Sequence, residues 1–101
     1  MAKVAVVGSM STGHDACAPV PAVTGCSWAS IDGRPIVCVG DKFQTHGCLV
    51  HGPHQGIVSS GSSFMFLDGK PVARVGDLIA DGGCTSAHKI ATGVEFLDID
   101  S

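Results

Sequence analysis

Five histidines, His14, His46, His51, His54 and His88, and five cysteines, Cys17, Cys26, Cys38, Cys48 and Cys84, carry most of the chemistry open to this chain. Imidazole and thiolate together are the donor set of tetrahedral zinc. An odd number of cysteines behind an N-terminus without the apolar core of an export signal argues for free thiols and metal ligation, not for a disulfide framework. The spacing sharpens this expectation. His14 stands six residues after Gly8, His46 six after Gly40, and Cys84 eight after Gly76. Each of these glycines closes an apolar run ending in Val-Gly, so the donors sit in three loops that leave three comparable strand ends. If those strands surround one axis, the three side chains converge on it. The longest loop, HGCLVHGPHQG, then supplies a fourth ligand from Cys48, His51 or His54. Four protein ligands with no open position make a structural zinc site, and iron is the main competitor on ligand type. Cys17 and Cys48 are reserve ligands, Cys26 and Cys38 are expected in the core, and His88 is expected at the surface.

The elements that must position these loops come from an internal repeat. Residues 25–41, GCSWASIDGRPIVCVGD, align without a gap on residues 61–77, GSSFMFLDGKPVARVGD, and eight of the 17 positions are identical. Each copy predicts a β-hairpin: an apolar run, Asp-Gly, a basic residue, Pro, and a second apolar run. Asp-Gly suits a two-residue type I′ turn, in which both central residues take positive φ. Pro35 and Pro71 lack a backbone donor and belong at a strand start or an edge. Phe64 and Phe66 fall on one face of their strand with Met65 and Leu67 on the other, so both faces are expected to be at least partly covered. Asp32 and Asp68 are assigned to turns, Asp41 and Asp77 to strand ends. No helical period runs for any useful length.

The ends of the chain carry half-repeats. Val4 to Gly8 aligns with Ile36 to Gly40 and Val72 to Gly76, with Ser9 where the full copies have Asp41 and Asp77. Residues 91–98 resemble a first strand, with Phe96-Leu97-Asp98 matched to Phe66-Leu67-Asp68. Residues 3–9 and 91–98 together would complete a third hairpin, which predicts one all-β domain over residues 1–101, closed as a pseudo-threefold ring.

Composition narrows the function classes. The chain has 101 residues, 45% hydrophobic and 15% charged, too apolar for disorder and apolar enough to suggest that a partner covers one face. A net charge of −3 and the lack of a basic cluster exclude the electrostatic footprint of a nucleic-acid binder. The absence of a signal or membrane span predicts assembly in the cytosol. Catalysis is not expected. Glu95 is the only glutamate, and no metalloprotease, deaminase or phosphate-loop motif is present. A small zinc hydrolase would lack its acid or base.

At Pro71-Val72-Ala73-Arg74 the chain resembles the PAAR-repeat family, named for Pro-Ala-Ala-Arg. The resemblance is supported by both hairpin motifs and by Gly13-His14, His46-x-Cys48, His54-x-Gly56 and Gly83-Cys84, and it spans essentially the whole chain. It implies a cone-shaped β domain with a zinc-bound apex, whose base caps the trimeric spike of valine-glycine-repeat (VgrG-like) proteins in type VI secretion systems and contractile phage-like particles. Carried onto matching positions, it implies His14, His46, His54 and Cys84 as the metal ligands, with His51 the runner-up to His54. It implies a mechanical role, in which a sharpened tip is driven through a target membrane after cytoplasmic assembly and ejected with the spike. A second implied role is an adaptor that carries noncovalently bound effector proteins. The first full repeat departs from the motif: Pro35-Ile36-Val37-Cys38 lacks its Arg.

Overall fold

The computed structural model describes residues 2–12, 19–45, 55–80, 88–94 and 98–99. Among them there is no helix, and nine short strands pair antiparallel throughout. Strands β2 (Ser30–Ile31) and β3 (Arg34–Pro35) form one hairpin, and β5 (Phe66–Leu67) and β6 (Lys70–Pro71) the next. Asp32 and Asp68 take φ of 56° and 57°, followed by Gly33 and Gly69 at 79° and 78°. Both turns therefore have the two successive positive φ values of a type I′ turn, as the Asp-Gly pairs predict. Pro35 and Pro71 close these strands, where their missing donor costs no ladder bond.

The third hairpin is made by the two ends of the chain. Strand β1 (Ala2–Lys3) pairs with β9 (Asp98–Ile99), Lys3 opposite Asp98. In the equivalent place Pro71 faces Phe66. Asp98 thus occupies the register position of Phe66, and the sequence match of Phe96-Leu97-Asp98 to Phe66-Leu67-Asp68 is two residues out of step. A slip of two leaves the alternation of faces intact, so hydrophobic pattern alone does not distinguish the registers.

The second strands of the three hairpins meet in a closed cycle. Ala5 N–H donates to the Ala73 carbonyl at 3.0 Å, Ala73 N–H to Val37 at 2.8 Å, and Val37 N–H back to Ala5 at 3.0 Å. One step along, Val7 donates to Pro35, Val39 to Pro71 and Val75 to Lys3, each at 2.9 Å. The three segments are each other's neighbours, so none of them has an open edge.

Side-chain alternation splits the core between the two faces of this ring. Val4, Ile36, Val72 and Cys38 are buried on the hairpin side, covered by Ala29, Ile31, Met65 and Leu67. Ala5, Val37 and Ala73 point the other way and join Val20, Ala22, Phe43, Val58, Ile79 and Ile90 on the loop side. Met65 and Leu67 are thus mostly covered, whereas Phe66 is half covered at 50% exposed and Phe64 stands out at 81%. The expectation that both faces of this strand are at least partly covered holds on the phenylalanine face only at Phe66, because the cycle buries the side that looks inward.

Candidate functional site

Each Val-Gly end makes the same tight turn. Ser9 N–H donates to Val6, Asp41 to Cys38 and Asp77 to Arg74, at 2.8 to 3.0 Å. The glycine lies at the third position, with φ of 100° at Gly8, 97° at Gly40 and 96° at Gly76, a conformation that penalises any Cβ. The next side chain folds back to cap the turn: Val6 N–H donates to Ser9 Oγ at 3.0 Å, Cys38 N–H to Asp41 Oδ2 at 2.8 Å, and Arg74 N–H to Asp77 Oδ2 at 2.7 Å. The repeated Val-Gly-Asp is thus a turn and its cap, which agrees with the strand-end role read from sequence.

Beyond these turns, the strands that lead into and out of the loops interlock. Gln44 N–H donates to Pro21 at 2.9 Å, joining the start of the second loop to the end of the first. Strand β4 (Ile57–Val58) pairs with β7 (Leu78–Ala80), joining the end of the second loop to the start of the third. Strand β8 (His88–Lys89) pairs with β7, and Thr12 N–H donates to Lys89 at 2.8 Å, which returns the third loop to the first. The six stems that flank the three loops form one ring.

The predicted ligands His14, His46, His54 and Cys84, with the alternatives His51, Cys48 and Cys17, lie outside the described residues. In sequence, His46 directly follows the stem residue Thr45, His54 directly precedes Gln55, and His14 is two residues beyond Thr12. Among the described residues no group of three or more His, Cys, Asp or Glu is arranged to hold a metal ion. In sequence the three loops carry four histidines and three cysteines, the donor types of a tetrahedral zinc site. Of His88 the structure describes the backbone, which is part of β8.

Two features escaped the sequence reading. Hydroxyls tie the entrance of each hairpin to the segment that leaves it: Lys42 N–H donates to Thr24 Oγ1 at 2.8 Å, Leu78 N–H to Ser60 Oγ at 2.9 Å, and Met10 N–H to Thr92 Oγ1 at 2.8 Å. The signal was present as Thr24-Gly25, Ser60-Gly61 and Thr92-Gly93, a hydroxyl before each hairpin glycine. Those glycines are required by space, since a Cβ on Gly93 would lie 2.7 Å from the Val4 carbonyl and one on Gly61 2.9 Å from that of Val72.

The second feature is what stands beside the capping carboxylate. Arg74 Nε lies 3.0 Å from Asp77 Oδ2 and its Nη2 3.0 Å from Oδ1, a two-point pair, and Nη2 also donates to the Gly61 carbonyl at 3.2 Å. Cys38 and Val6 hold the equivalent places in the other two copies. Cys38 is buried as expected, but Cys26 is not a core residue: it is half-buried in the lead-in to β2 and helps to line an open cleft of about 170 Å³. That volume is below the usual range for a substrate pocket, about 300 Å³ upward. Burial, and after it the nearby Asp41 carboxylate, push the Cys38 thiol up to about 11, so it stays protonated and unreactive at neutral pH.

No protein-family model matches the chain, and no curated protein matches it significantly.

Proposed function

We propose that this protein is a spike-tip protein of the PAAR-repeat kind: a small cone of three hairpin lobes, pinned at its apex by zinc, that caps a trimeric valine-glycine-repeat spike for membrane piercing. The observation that carries this reading is the ring of loop stems. Three loops rich in imidazole and thiolate start from one closed cycle of hydrogen bonds, so ligands from all three reach a common point without any long excursion of the chain. Four ligands drawn from His14, His46, His54 and Cys84 close the zinc shell and leave no position for a reacting water, which makes the metal structural. Its contribution is folding free energy and stiffness in a domain whose strands are two or three residues long.

The hairpin side is the docking face. Trp28, Phe64 and Phe66 are exposed there at 63%, 81% and 50%, and a face built from three equivalent lobes can set one lobe over each chain of a threefold spike. The test combines metal analysis with binding. Purified protein is expected to contain one zinc per chain, to lose thermal stability on chelation, and to bind a trimeric spike tip. A metal-free protein of unchanged stability, or one that ignores the spike, defeats the reading.

A further inference from the structure

The two full repeats differ at one point of consequence. In the later copy the Arg74 guanidinium fills the space between Asp77 and the Gly61 carbonyl. In the earlier copy the same carboxylate is retained in the same posture: Asp41 Oδ2 caps Cys38 N–H as Asp77 Oδ2 caps Arg74 N–H. Likewise Thr24 Oγ1 donates to Asp41 Oδ1 at 3.0 Å, as Ser60 Oγ does to Asp77 Oδ1 at 3.0 Å. What is missing is the guanidinium. Cys38 ends at a buried sulfur, and a cleft opens there, lined among others by Gly25, Trp28, Cys38, Asp41, Asp68 and Lys70.

We infer that this cleft is a receptor for an arginine side chain presented by a bound protein. The molecule itself contains the occupied form of the site, in which carboxylate and carbonyl are spaced for the fork of a guanidinium. Backbone capping does not explain why the charge is kept, because the half-repeat at the N-terminus caps the same turn with the neutral Ser9. There both members of the pair are replaced, Val6 for the arginine and Ser9 for the aspartate. In the earlier full copy only the cation is gone. Asp68 adds a second carboxylate to the wall, and Lys70, exposed, lines the cleft too, with no ion pair to Asp41 among the described residues. Trp28, 63% exposed, offers an indole face beside the cleft on which a guanidinium can also stack. The cleft is large enough for a side-chain head and too small for a free ligand with a body of its own, so the arginine belongs to a chain docked over the surface around Trp28. The inference does not depend on the spike-tip reading or on any metal.

The test is an NMR titration of the full chain with acetyl-arginine-amide, with acetyl-lysine-amide as the control. Expected is a saturable shift of the Cys26, Cys38 and Asp41 amides, half-maximal in the millimolar range, with the lysine compound several-fold weaker. Asp41→Asn should remove the response. Cys38→Arg should also remove it, by supplying the missing guanidinium from within, and should keep the fold because the later copy already has that pair. Cys38→Ser leaves the cleft open and should still respond. A response that is absent in the wild type, equal for the two compounds, or unchanged in Cys38→Arg overturns the inference.

Discussion

Val37 accepts a hydrogen bond from Ala73 at 2.8 Å although the two residues hold the same place in successive repeats, and Ala5 completes the cycle with both. All three side chains are fully buried. The strands can close on themselves here because two of the three positions carry only a methyl group.

Enlarging one of those methyls is therefore expected to open the ring. Ala5→Leu should destabilise the fold by about 1–3 kcal/mol, the usual cost of overpacking a filled core. Urea denaturation measures it, and an unchanged midpoint would contradict the closed cycle.

Gly93→Ala should cost more than Gly69→Ala. The former drives a Cβ to 2.7 Å from the Val4 carbonyl, a backbone atom that cannot yield cheaply, whereas Gly69 has open space around it and only a φ of 78° to penalise the side chain. The second change should cost about 1–2 kcal/mol. Paired thermal melts decide the order.

Arg74→Val alone leaves Asp77, 5% exposed, without its counter-charge, and is expected to cost about 3 kcal/mol. The double change Arg74→Val with Asp77→Ser imports the Val6 and Ser9 pair of the N-terminal half-repeat and should recover much of that loss. A double-mutant cycle measured by denaturation reports the coupling.

Stability should fall at alkaline pH through Cys38. Its thiol holds its proton to about 11 in the fold but releases it near its ordinary value of 9.0 once unfolded. The contribution is fully present below pH 9 and is lost as pH rises toward 11, because the unfolded chain ionises first. Cys38→Val should flatten this slope between pH 8.5 and 10.5, as followed by urea midpoints.

The proposed metal shell makes its own prediction. Alanine at His14, His46, His54 or Cys84 should release zinc and lower the melting temperature, while His51→Ala should leave both unchanged. If His51→Ala releases the metal and His54→Ala does not, the fourth ligand is His51.

Local chemistry was legible in the residues themselves. Asp32-Gly33 and Asp68-Gly69 dictate their turns because few other pairs tolerate two positive φ values, and Val-Gly-Asp dictates a turn with its cap for the same kind of reason. The repeat, the all-β class and the set of imidazole and thiolate donors follow from sequence alone. Which copy of a repeated position is buried, paired or open does not, because that depends on partners far away in the chain. Met10 reaches Thr92 across 82 residues, Asp98 rather than Phe96 takes the place of Phe66, and Phe64 faces outward while Met65 faces in. Only the closed cycle decides these, since a slip of two residues or a change of neighbour leaves every local preference satisfied. The contrast between Arg74 and Cys38 is of the same kind: one letter in the sequence, but a filled ion pair in one lobe and an open cleft in the next.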